Sequence, residues 1–82
     1  MNPKLLQLSV AKVDEALYTG GVQSVTVPAV DGELTLMADH EPLITPLQSG
    51  TITVLTENGD TQTFLIDEGT LEVSNNTATI LV

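Results

Sequence analysis

Three observations predict an all-β fold for this chain. Thr, Val, Leu and Ile dominate its composition. Its apolar residues recur at every second position and never gather into an i, i+3, i+4 stripe. Turn-forming residues interrupt the apolar runs at roughly 8 to 12-residue spacing, the pattern of a β-sandwich or barrel. The 82 residues suit a single domain over 1–82. A domain of this size buries only about 60 to 65 % of its unfolded surface, so a modest core helped by a partner is expected.

Leu6, Leu8 and Val10 alternate with Leu5, Gln7 and Ser9, giving a first strand with one buried face. Ala11 and Lys12 turn the chain into a second strand, Val13 to Thr19, with Val13 and Leu17 on one face and Ala16 and Tyr18 on the other. Gly20-Gly21 is expected to supply the positive φ of a tight reversal. Val25 and Val27 then alternate with Ser24 and Thr26 in a third strand that stops at Pro28, and Val30-Asp31-Gly32 turns again.

The segment Asp31 to Gly50 stands apart, because its residue types are not explained by sheet building alone. It holds the one histidine, His40, and two prolines, Pro42 and Pro46, each of which removes a ladder N–H and pushes the preceding residue toward extended geometry. It divides into a short strand at Glu33 to Met37, a rigid polar corner at Ala38 to Pro42, and a second short strand at Leu43 to Leu47. Beyond Gly50, Ile52 and Val54 form a core face up to Glu57-Asn58-Gly59-Asp60, where Asn-Gly predicts a type I′ hairpin turn. Thr61 to Asp67 returns with Phe64 and Ile66 inward, Gly69 breaks it, and Leu71 and Val73 open a strand that Ser74-Asn75-Asn76 turns. Ala78, Ile80 and Val82 close the chain on an apolar face. The residues themselves thus count out eight or nine short strands.

Charge and composition narrow the function. Two basic residues stand against eleven acidic ones, for a net charge of −9, so phosphate backbones and anionic lipid repel this chain and nucleic-acid binding is excluded. There is no cysteine, which removes disulfides and thiolate metal sites and fits a reducing compartment. No stretch approaches the roughly 20 apolar residues of a membrane span, and no signal-peptide pattern opens the chain, so it reads as cytosolic. A nucleophilic triad would need His40 beside an exposed serine and an orienting acid; Ser49 lies beyond two prolines and no nucleophile elbow surrounds any serine. The simpler reading of His40 is a loop residue that hydrogen-bonds locally. Asp39, His40 and Glu41 are adjacent, and neighbours in an extended chain point to opposite sides, a poor chelate. Gly20-Gly21 and Gly32 precede no helix or lysine and make no phosphate cradle. No catalytic, cofactor or metal residue is assigned. What remains is an acidic interaction module with a proline-stiffened corner.

At that corner the sequence stops being generic. G-E-L-T-L-M-A-D-H-E-P-L-I-T-P-L-Q-S-G, Gly32 to Gly50, resembles the signature of the ε subunit of F-type ATP synthases (δ in mitochondria). Y-T-G at Tyr18 to Gly20, V-T-V-P at Val25 to Pro28 and I-D-E-G-T-L-E-V-S-N-N-T-A-T-I-L at Ile66 to Leu81 resemble flanking parts of the same domain. The family glycine after G-E-L is here Thr35, the usual Pro-Gly before the histidine is Ala38-Asp39, the residue after it is Glu41, and the first glycine of a late Gly-Gly is Glu68.

The resemblance implies a β-sandwich of roughly ten strands in two five-stranded sheets, without the C-terminal helical hairpin that in the family inhibits hydrolysis and in some members binds ATP. It implies a non-catalytic rotor subunit of the central stalk, clasping the γ subunit with one face and resting on the polar loops of the membrane c-ring, at the cytoplasmic side of a bacterial inner membrane or its organelle equivalent. Glu33 and His40 match the family positions facing the c-ring, with Asp39 and Glu41 as neighbours on the same corner. No ATP binding is expected. The rival reading is a free-standing binding or enzymatic β-domain with a borrowed fold.

Overall fold

The computed structural model describes residues 4–82. Every regular element among them is a strand: β1 Leu6–Lys12, β2 Glu15–Ala29, β3 Gly32–Leu36, β4 Leu43–Leu47, β5 Gly50–Thr56, β6 Thr61–Ile66, β7 Gly69–Ser74 and β8 Thr77–Leu81. The ladders run β1-β8-β7-β4-β2-β5-β6, with β3 also beside β2 and β1 also paired to β2. One layer is therefore β4-β7-β8-β1 with the first half of β2, and the other is β3, the second half of β2, β5 and β6. A single pair, Ala29 with Leu47, closes the ring between the layers.

Eight strands stand where the resemblance implied ten, and β2 joins into one strand two that the residues counted separately. Gly20-Gly21 does not reverse the chain; both glycines pair with β1 inside a continuous 15-residue strand. Gly21 instead leaves room for the Leu5 side chain, which would have to shift for a Cβ that would lie 2.9 Å from its Cδ1. The strand bends two residues later, where its register with β5 shifts between Val22 and Ser24. An irregularity of this kind bends a strand and sharpens its twist, which lets β2 pass from one layer to the other.

Each strand turns its alternate apolar residues into one shared core. Leu6, Leu8 and Val10 meet Val22, Val25 and Val27 from β2, Leu36 from β3, Ile52 and Val54 from β5, Leu71 and Val73 from β7, and Ala78 and Ile80 from β8, all buried. Phe64 is only half-buried and packs at the margin. Val13 does not share a face with Leu17: it sits at the tip of the β1–β2 turn, 99 % exposed.

Two hairpins exchange the roles expected of them. The Asn58-Gly59 turn is not type I′, since only Gly59 has positive φ (89°). The Gly59 N–H donates to the Thr56 carbonyl at 3.0 Å, and the residues between the hydrogen-bonded Thr56 and Asp60 form the longer loop in which glycine takes the left-handed position. The I′ signature appears at Asn75-Asn76, with φ of 51° and 59° between the paired Ser74 and Thr77.

Candidate functional site

The corner between β3 and β4 is built by a turn that its sequence does not favour. The His40 N–H reaches back to the Met37 carbonyl at 3.3 Å, and Asp39 at the third turn position has φ of 65°. Positive φ at that position alone is the type II pattern, which asks for Gly; Asp tolerates it at a cost of about 1 kcal/mol. Ala38-Asp39 thus makes the turn that Pro-Gly would make, and outside contacts hold it. The Asp39 N–H donates to Asn76 Oδ1 at 2.8 Å, and Lys4 Nζ donates to Asp39 Oδ1 at 2.7 Å. Asn76 in turn donates through Nδ2 to the Leu5 carbonyl at 2.8 Å. One asparagine, presented by the β7–β8 turn, therefore ties the corner to the start of β1.

His40 is half-buried, and its Nδ1 donates to the Glu41 carbonyl at 2.8 Å, the local bond expected of it. In the neutral ring this leaves Nε2 as the acceptor. Asp39 and Glu41 are exposed beside it, and Pro42 leads into β4. Pro46 pairs with Thr70 on the side of β4 that has a neighbour, while the other side of β4 meets β2 only at Leu47.

Glu33 does not join this corner. It is exposed at the beginning of β3, opposite Pro28, whereas Asp39, His40 and Glu41 follow the end of that strand. About 10 Å of strand separates Glu33 from Leu36, where the corner begins. The four residues lie along one edge strand and its following loop, not at a single point. The sequence reading missed Lys4 and Asn76 as parts of the site. Asn76 was legible as a turn residue, but its partners are distant in the chain.

Beside the corner lies a shallow groove of about 360 Å³ lined by Lys4, Gln23, Ser24, Met37, Ala38 and Leu55. Met37 is 61 % exposed there, and Ile44 on β4 is 72 % exposed. The acids are distributed unevenly. Glu72 alone lies in the middle of a strand, and the other acidic residues occupy turns, loops or the first residues of strands.

Two packed sheets with nearly all their acids in turns and at strand ends, joined to one loop pinned by residues outside its own hairpin, define a β-sandwich domain. Comparison with known proteins gives the class its family. The family description "ATP synthase, Delta/Epsilon chain, beta-sandwich domain" matches residues 5–82, and the chain belongs to that family. It is 40 % identical over 76 residues to the ATP synthase epsilon chain of Acinetobacter baumannii (strain SDF), covering 93 % of this chain and 55 % of that one. The chain spans about half the length of the relatives it matches. Its fold superposes on a chain of the Euglena gracilis mitochondrial ATP synthase (OSCP/F1/c-ring) with a TM-score of 0.91 at 24 % identity, covering 98 % of this chain and 51 % of that one. A chain of the Tetrahymena thermophila mitochondrial ATP synthase central stalk and c-ring gives 0.81 at 15 % identity, covering 100 % and 66 %. The family resemblance read from Gly32 to Gly50 and Ile66 to Leu81 is confirmed.

Proposed function

We propose that this chain serves as the β-sandwich domain of a rotor subunit in an F-type ATP synthase, held between the γ subunit and the polar loops of the c-ring. The observation that carries this reading is the family match over residues 5–82. The build of the corner supports it. A loop that must pass torque between neighbours has to keep its shape under load, and here Pro42, the Asn76 bridge and the Lys4–Asp39 pair fix it before any partner arrives. Such a domain performs no chemistry of its own. It couples ion flow to synthesis by being gripped on two sides, peripheral to the cytoplasmic face of a bacterial inner membrane or the matching face of an organelle membrane.

Glu33, His40, Asp39 and Glu41 are the residues proposed to face the c-ring. Glu33 and Glu41 are both exposed and far enough apart along the β3 edge to touch separate points of a neutral or basic surface. Each exposed pair is worth only about 0 to 1 kcal/mol, so one neutralisation weakens docking slightly. The double reversal Glu33→Lys with Glu41→Lys turns attraction into repulsion at both points and weakens it more. The test is capture of purified γ subunit and of assembled c-ring by the folded chain, at low and high salt, with and without the double reversal. Binding of γ and c-ring, with the c-ring arm weakened by reversal at low salt, is the expected outcome. A folded chain that captures neither overturns the proposal.

A further inference from the structure

The outer edge of β6 is the one strand edge among the described residues that carries no device against further pairing. The edge of β3 has Glu33 and Gly32, β4 contains Pro46, and the first half of β2 has Glu15 and two glycines. β6 reads TQTFLI, without charge, proline or glycine, and pairs only with β5. Uncharged, proline-free edges are the ones that accept another strand.

The ladder fixes which groups of β6 are free. Thr56 N–H donates to the Asp60 carbonyl at 2.8 Å, so the hydrogen-bonded pairs of this hairpin continue at Val54–Gln62, Ile52–Phe64 and Gly50–Ile66. The backbone N–H and C=O of Thr61, Thr63 and Leu65 therefore point away from β5. Their side chains lie on the outer face, where Leu65 is 88 % exposed. Thr63 also ends a row of hydroxyls that crosses the whole layer, Thr35–Thr26–Thr53–Thr63, whose first two members hydrogen-bond at 2.9 Å.

The ends of the strand are acidic. Glu57 and Asp60 precede β6 and Asp67 and Glu68 follow it, all exposed. Lys12 shares a groove of about 330 Å³ with Asp67, Glu68 and Leu65, which leaves that end still negative. A second copy of the chain is a poor occupant: antiparallel pairing of β6 with itself about Thr63 brings Asp60 of one copy alongside Asp67 of the other, and parallel pairing brings the two Asp60 residues alongside each other. We propose that the β6 edge is a docking site for an extended segment of a partner protein. That segment carries Lys or Arg at both ends, a β-branched residue opposite Thr63 and an apolar one opposite Leu65. This inference does not depend on the ATP synthase reading.

The probe is a labelled synthetic peptide, Lys-Lys-Thr-Val-Thr-Val-Thr-Val-Lys-Lys, followed by fluorescence anisotropy and by amide exchange of the full chain. Saturable binding is expected, with new exchange protection at Thr61, Thr63 and Leu65. Replacing the terminal lysines with glutamates weakens it about tenfold or more at low salt. Thr63→Pro removes an outward N–H that β5 does not use, so it abolishes binding while Thr63→Val retains it. A peptide N-methylated at alternate residues must also fail, and that arm leaves the protein untouched. No binding, protection confined to other strands, equal binding of the N-methylated peptide, or a concentration-dependent dimer of the chain lost in Thr63→Pro each overturns the proposal; the dimer would give the edge to a second copy.

Discussion

Replacing Asn76 tests whether the corner is held from outside. Asn76→Gly removes both side-chain bonds while keeping the φ of 59° that the turn requires. The partly buried bond to the Leu5 carbonyl contributes about 1 kcal/mol and the exposed bond from the Asp39 N–H about 0.5, so the loss is about 1.5 kcal/mol. The extra unfolded-state freedom of Gly and its ease in the left-handed region act in opposite directions and nearly cancel. Asn76→Ala loses the same bonds and adds about 1 kcal/mol, because Ala lacks the short polar side chain that eases Asn into the left-handed region, about 2.5 in all. With a urea slope of about 1 kcal/mol/M for a small domain, the Gly variant lowers the unfolding midpoint by about 1.5 M. Amide exchange supplies the local readout, since the Asp39 N–H loses its acceptor in both variants. If Asn76→Gly unfolds within about 0.3 M of the parent and its Asp39 amide is no less protected, the bridge does not hold the corner.

The remaining predictions concern packing, strain and ligand. Leu71→Ala opens a cavity in a fully buried site and should cost about 2 to 5 kcal/mol, seen as a lowered thermal midpoint by circular dichroism. Gly69→Ala would place a Cβ 2.6 Å from the Leu81 carbonyl oxygen, so backbone must move. It should destabilise by about 1 to 3 kcal/mol in urea unfolding. Asp39→Gly trades an exposed ion pair worth about 0 to 1 kcal/mol for relief of about 1 kcal/mol at positive φ, and should leave urea stability unchanged or slightly raised. Calorimetric titration of this chain with ATP should show no saturable heat, because the net charge is −9 and Lys4, one of its two basic residues, is engaged by Asp39.

Period-two alternation made the core legible, and most of the inward residues named from it are buried, from Leu6 through Ile80. Local signals were less decisive where two physical causes share a residue type. Gly20-Gly21 has the composition of a turn, yet what selects Gly21 is the Leu5 side chain packed over it, a contact no local pattern encodes. Asn-Gly pointed to a I′ turn at Asn58, and the longer loop there uses only the glycine in the left-handed region. The corner's existence followed from its prolines and histidine. Its tether did not, because the Asn76–Leu5 bond joins residues 71 apart. Glu33 was grouped with His40 by a motif in linear sequence, and the length of β3 separates them.

The parallel pairing of β1 with β8 also governs how this molecule can be made. Gln7 aligns with Thr77 and Ala11 with Leu81, so β1 finds one of its two neighbours only after β8 has been synthesised. Until then Leu6, Leu8 and Val10 have half a layer to pack against, since Ala78 and Ile80 complete their surroundings. Ladders this long in sequence separation fold in milliseconds to seconds once they can form at all. Until β8 emerges the nascent domain therefore carries an open sheet, and the like charge of its acidic turns opposes the joining of that sheet to a neighbour's.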